Sequence, residues 1–167
     1  MLLEIKTFPN KVLKKVSVEV EEVTPELKEL ASNMLETMYE NKGVGLAAPQ
    51  VGVSKRLIVL DCSENRDEPI VLFNPEIVKG IGKTIGTEGC LSIPDIEAKV
   101  QRFEKINIKG LNENGEETSY DAEELLSTCF QHEIDHLNGV LFVDKLSPVQ
   151  KLKVKKLLAE MEAQAIQ

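Results

Sequence analysis

The chain has no tryptophan, and its 167 residues include only five phenylalanines and two tyrosines, so any core it builds is largely aliphatic. Cysteine is equally scarce. Three is an odd number, without the spacing of a disulfide scaffold, which argues against a disulfide framework and for a reducing, cytoplasmic compartment. No apolar run approaches the ~18 residues a membrane span needs. The opening stretch, Met1 to Thr7, is too polar for a secretory signal and too poor in Arg and Ser for a transit peptide. A formal net charge of -8 argues against a protein that coats nucleic acid over its whole surface. No repeat, linker or low-complexity tract interrupts the chain, and its length suits one domain over residues 1–167. What is present is ordinary for a globular protein, 42% hydrophobic and 29% charged residues.

Hydrophobic periodicity then places the elements. Residues 11–16 read as one or two helical turns. Thr24-Pro25 reads as an N-cap and first helical residue, followed by Leu27, Leu30, Ala31, Met34, Leu35, Met38 and Tyr39 at helical spacing, with a stop near Asn41 and Gly43. Residues 57–61 and 69–73 are β-branched, apolar and bounded by polar turns. Residues 106–110 and 118–120 lean to strand around a strong hairpin signal, Asn114-Gly115. Asp121 and Glu124 form a capping-box pattern ahead of a helix with Leu125, Leu126, Cys129, Phe130 and Leu137, which Gly139 ends. Ser147 and Gln150 repeat that pattern ahead of a C-terminal helix with Leu152, Leu157, Leu158 and Met161. The order of elements predicts an α+β fold: a mostly antiparallel sheet around a central helix, with an N-terminal and a C-terminal helix.

Both histidines of the chain fall in one five-residue stretch, His132-Glu133-Ile134-Asp135-His136. On a helix, two residues four apart lie about 40° apart around the axis and about 6 Å along it, so both imidazoles can converge on one metal ion. A carboxylate beside such a pair can serve as general base on a metal-bound water. Glu133 and Asp135 lie about 80° to either side of that face, and geometry alone does not choose between them. Glu reaches further, and the H-E-x-x-H pattern favours it.

A catalytic site needs a third ligand and an open position. Cys129 lies on nearly the same face but about 7 Å short along the axis, and both it and Cys62 read as small buried apolar residues. Cys90 stands in a turn-like segment, Thr87 to Ser92, from which a thiolate can point at the helix. The rival ligands are Glu160 or Glu162 downstream, an arrangement that would suit a zinc peptidase. A closed four-ligand site would instead mean a metal-stabilised binding module, but the sequence offers no obvious fourth ligand. Sulfur with two imidazoles suits Zn²⁺ or Fe²⁺ and disfavours Mg²⁺ and Ca²⁺.

Residues 43–50, Gly-Val-Gly-Leu-Ala-Ala-Pro-Gln, formally match a dinucleotide fingerprint. The context is wrong, because a helix precedes the motif and Pro49 discourages one after it. The segment reads instead as a loop whose backbone approaches a substrate, with Gln50 offering an amide.

Taken together, the G-x-G-L-A-A-x-Q loop at 43–50, the E-G-C-L-S turn at 88–92 and the H-E-x-D-H helix at 132–136 resemble the three motifs of the peptide deformylases. All are complete and in order, over nearly the whole chain. The resemblance implies that Cys90, His132 and His136 bind the metal, Fe²⁺ in the cell with Zn²⁺, Ni²⁺ or Co²⁺ as substitutes, and that Glu133 is the general acid/base. It implies that Gln50 and the Leu91 backbone N–H form the oxyanion site and that Gly45 helps hold the substrate. The reaction so implied removes the formyl group from N-terminal formyl-methionine of new polypeptides. Val44, Leu125 and Cys129 would line the Met pocket. The resemblance favours Cys90 over Glu160 and Glu133 over Asp135.

Three positions depart from the family pattern. Gly86 and Thr128 replace common aliphatics and would make the Met pocket roomier or more polar. Glu97 replaces an Arg of some bacterial members, which would alter contacts beyond Met. Arg102 matches a basic position common in the family and reads equally as a surface cation. Lys145, Lys151, Lys153, Lys155 and Lys156 gather a quarter of all Lys and Arg in twelve residues. They read as the solvated face of a helix or as a docking site for ribosomal RNA. The expected partners are thus formyl-methionyl nascent chains and the ribosome, with no membrane, for a monomer in the cytoplasm.

Overall fold

The computed structural model describes residues 1–166. Helix α1 (Pro25–Glu40) leads to β1 (Gly45–Ala47), β2 (Leu57–Leu60), β3 (Ile70–Ile81), β4 (Thr84–Cys90), β5 (Ile93–Arg102), β6 (Lys105–Leu111) and β7 (Glu117–Glu123), then α2 (Glu124–Leu137) and α3 (Pro148–Ile166). Short 3-10 turns cover Lys11–Lys14, Ala48–Val51 and Phe142–Lys145. The strands form one five-stranded antiparallel sheet in the order β1-β2-β3-β6-β7 and a separate β4-β5 hairpin. Among the described residues no helix is long and apolar enough to cross a membrane.

The sheet lies between α1 and α2 because β2 is apolar on both faces. Leu57 and Val59 pack with Ala31, Met34 and Met38 of α1, while Ile58 and Leu60 pack with Cys129, Phe130, Ile134 and Leu137 of α2. This is the two-residue alternation of a strand read from both sides. A third cluster joins the β4-β5 hairpin, through Ile93, Ile96, Ala98 and Val100, to Phe142, Val143 and Val154. Helix α1 begins as expected, with Thr24 Oγ1 accepting from Leu27 N at 3.3 Å and Pro25 in the first turn. It closes in a Schellman arrangement, Gly43 N to Met38 O and Lys42 N to Tyr39 O, in which Lys42 rather than a glycine takes the left-handed conformation, at φ 58°. Gly139 ends α2 in the expected way, at φ 72°.

Three local expectations differ from the fold. Asp121 does not cap α2. Strand β7 stays paired to β6 as far as Lys105↔Glu123, and the Asp121 carboxylate instead accepts from Asn107 Nδ2 at 2.8 Å. The Thr87–Ser92 segment is mostly strand, with the turn confined to Leu91-Ser92. β4 has almost no apolar alternation of its own and is organised by the alternating β5 beside it. On α3, Ser147 Oγ accepts from Gln150 N, but Gln150 Oε1 turns away to Lys99 N of β5. The docking face of α3 is Val154, Leu158 and Met161, while Leu152 and Leu157 face solvent at 73% and 44% exposure.

Candidate metal centre

Helix α2 presents His132 and His136 one turn apart, with ring centroids 5.0 Å from each other. Cys90, at the end of β4, brings its Sγ to 3.3 Å from His136 Nε2. One ligand atom from each of Cys90, His132 and His136 lies within 4.8 Å of the other two. Cys129 is outside this set. It is buried one turn earlier on α2 as a free thiol, and the neighbouring Cys62 together with burial raises its pKa. Glu160 and Glu162 are exposed on α3 and do not join the cluster.

The donors fit a metal. Burial drives the His136 pKa well below its ordinary value, which keeps the imidazole neutral as a ligand requires, and its Nδ1 has no partner among the described residues. Burial also opposes charge on His132, but Glu133, Cys90 and Glu88 outweigh it and raise its pKa. Surroundings that favour a proton there equally favour a metal cation. One thiolate and two imidazoles form a donor set suited to a borderline-soft divalent ion.

Between the two histidines, Glu133 is buried, and burial pushes its carboxyl pKa up to about 7. Its Oε1 has no partner among the described residues. Asp135 faces the other way, accepting from Arg102 Nη1 at 2.5 Å with Lys145 Nζ 3.4 Å away. The structure thereby separates two carboxylates that the helical wheel left equivalent.

Glu88 is the residue that spacing did not single out. Its Oε1 lies 2.9 Å from His132 Nδ1, and its carboxylate takes a two-pronged bond from Arg102, at 2.9 Å from Nε and 2.8 Å from Nη2. Burial raises the Glu88 pKa, but the bonds from Arg102 and His132 overcome it and hold the group at about 2. Arg102 is therefore no surface cation; it is 4% exposed and links Glu88 to Asp135. Phe142 stacks on the His132 ring at 6.0 Å.

The glycine loop closes the site from the far side. A Cβ on Gly45 would lie 2.6 Å from Glu133 Oε2, and one on Gly43 would lie 2.9 Å from Leu91 Cδ1, so a side chain at either position would displace its neighbour. Gln50 is buried. Its Oε1 accepts from Ala47 N at 2.9 Å, which turns its Nε2 toward Ser92 Oγ at 3.1 Å and Cys90 Sγ at 3.5 Å. A cavity of about 830 Å³ opens beside these groups, with Val44, Leu91, Leu125, Thr128 and Cys129 in its wall. Thr128 donates its hydroxyl to Leu125 O, and a Cβ on Gly86 would meet nothing within 4 Å. Glu97 stands at the cavity's rim.

The model of the polypeptide deformylase family matches residues 2–152. A peptide deformylase of Hydrogenovibrio crunogenus is 50% identical over 98% of this chain and 97% of its own. One of Pseudoalteromonas translucida is 48% identical over 96% of each. Among solved structures, a peptide deformylase from Legionella pneumophila superposes with a TM-score of 0.91 at 41% identity, over 100% of this chain and 99% of its own. With its three motifs gathered at one cavity and its whole fold shared with these relatives, the chain belongs to the polypeptide deformylase family.

Proposed function

We propose that this chain is a metal-dependent hydrolase that removes the N-formyl group from the N-terminal formyl-methionine of newly made polypeptides and releases formate. The observation that carries the reading is the convergence of Cys90, His132 and His136 beside a buried Glu133, at the wall of an open cavity. Cys90, His132 and His136 would hold the metal, Fe²⁺ in the cell, with Zn²⁺, Ni²⁺ or Co²⁺ able to substitute because the same donors suit them. A metal bound there supplies Lewis acidity, lowering the pKa of water and polarising a carbonyl.

The chain's own residues supply the rest. Glu133 accepts a proton from the attacking water and delivers it to the leaving amine, and its raised pKa suits a group that must do both near neutrality. Gln50 Nε2 and the Leu91 N–H donate to the formyl oxygen as negative charge grows on it; removing one such donor typically costs ~10²–10³ in rate. The fixed orientation of the Gln50 amide supports that role. Val44, Leu125 and Cys129 receive the Met side chain, and Gly45 leaves room for the peptide beside Glu133.

We further propose a monomer in the cytoplasm that docks on ribosomal RNA through Lys145, Lys151, Lys153, Lys155 and Lys156. The four lysines on α3 are exposed, whereas Lys145 also contacts Asp135. Salt-sensitive ribosome binding that reversal of two of these charges abolishes is the expected result; binding that survives the reversal contradicts it.

The test of the reaction is formate release from a formyl-methionyl peptide by anaerobically purified protein, before and after reconstitution with Fe²⁺ or Ni²⁺. Release only by the loaded protein is expected. No release by protein holding one metal per chain contradicts the reading and brings forward a peptidase or a binding module.

A further inference from the structure

The loop from Asp61 to Glu68 has no part in the metal centre, yet its bonds end on the cavity wall. Its hub is Asp61, fully buried at the end of β2. The Asp61 carboxylate accepts from Tyr39 Oη at 2.5 Å, from Ser63 N at 2.9 Å and Ser63 Oγ at 2.5 Å, and from Glu68 N at 3.2 Å. Its own N–H donates to Val44 O at 2.8 Å. Arg66 is the half-buried residue of an otherwise exposed stretch, 64–69. One guanidinium nitrogen donates to Asp61 O at 2.6 Å and the other to Gly43 O, while the group lies over the Tyr39 ring at 5.2 Å. The Arg66 backbone is left-handed, at φ 57°, a conformation that a non-glycine residue keeps only where its surroundings impose it.

We propose that Arg66 is a positioning residue for the substrate: by bridging the carbonyls of Asp61 and Gly43, it fixes the Gly43–Gly45 edge against the peptide that the cavity receives. Two consecutive carbonyls of that edge, Gly43 and Val44, are tied to this loop. Both residues line the cavity, and the next, Gly45, is in van der Waals range of the Glu133 side chain. Among the described residues β1 pairs with β2 alone, so its outer side has no strand to hold it. The fork geometry of Arg is what the role needs, because two carbonyls in different segments must be met by one rigid donor. Lysine keeps the charge but supplies a single flexible ammonium.

The inference rests on the deformylase reading, and the experiment separates the two. Wild type, Arg66→Ala and Arg66→Lys, each loaded with Ni²⁺ and analysed for metal, are compared for formate release from formyl-methionyl peptides. If metal-loaded wild type releases none, the functional reading fails. If it does, Arg66→Ala is expected to raise KM about tenfold with kcat within about threefold and metal content unchanged, since a misplaced binding edge weakens substrate more than it alters the reacting groups. Arg66→Lys is expected to keep most of that defect. Ethylguanidinium added to Arg66→Ala should restore KM, and ethylammonium should not. A wild-type KM in both variants, or a lower melting temperature with KM per metal-loaded chain unchanged, overturns the proposal. So does rescue by either cation alike.

Discussion

Gly45 leaves the space that Glu133 fills at the cavity wall: a Cβ there would stand 2.6 Å from Glu133 Oε2 and 3.0 Å from its Cδ. The glycine loop and the metal helix are therefore complementary surfaces of one site, and the smallest substitution at 45 moves the proposed acid/base. Gly45→Ala is expected to lower kcat/KM by about 10²-fold, the scale of a misplacement near 1 Å, while the metal content per chain stays that of wild type. Steady-state kinetics with metal analysis on the same samples checks this; unchanged kinetics would show that Glu133 moves aside at no cost.

Glu88 orients His132 and anchors Arg102. Glu88→Gln is expected to weaken metal binding about 10- to 100-fold, as loss of an outer partner of a metal-ligating histidine typically does. Arg102→Ala leaves Glu88 and Asp135 without their buried counter-charge and is expected to destabilise the fold by about 3–5 kcal/mol. Competition with a metal chelator and urea unfolding read the two effects.

Acid titrates the same pair. The folded pKa of Glu88 is depressed from 4.5 to about 2, because the bonds from Arg102 and His132 outweigh its burial. A carboxylate held lower in the folded than in the unfolded chain contributes stability that is present above its unfolded pKa and lost as pH falls through the folded one. Urea midpoints of the metal-free protein should therefore fall between pH 4.5 and 2 more steeply for wild type than for Glu88→Gln. Parallel slopes would contradict the assignment.

Much of this site was legible because its chemistry is written in spacing. His132 and His136 are neighbours on any helix, and Gly43 to Gln50 retains its meaning in any fold that brings it near them. What spacing cannot express is contact between distant segments. Glu88 and Arg102 meet because β4 and β5 pair, and β4 has no apolar alternation to announce itself as a strand. Asp121 had the look of a cap, but the β6-β7 ladder held it as a strand residue opposite Asn107. Glu133 and Asp135 were equivalent on the helical wheel until Arg102 claimed one of them.

Helix α3 is where periodicity misleads. Its leucines suggest one buried face, but Leu158 docks beside Val154 and Met161 while Leu152 is 73% exposed. Val154→Ala is expected to cost about 1.6 kcal/mol, two buried methyl groups, and Leu152→Ala to stay within about 0.5 kcal/mol. Chemical denaturation of both variants decides which face docks.

The most direct test of the account is Glu133→Gln, nearly isosteric and unable to take a proton. The expected result is one metal per chain, as in wild type, with formate release from a formyl-methionyl peptide reduced at least ~10²-fold, the low end for loss of a general acid/base. A metal-loaded Glu133→Gln protein that turns over like wild type would contradict it.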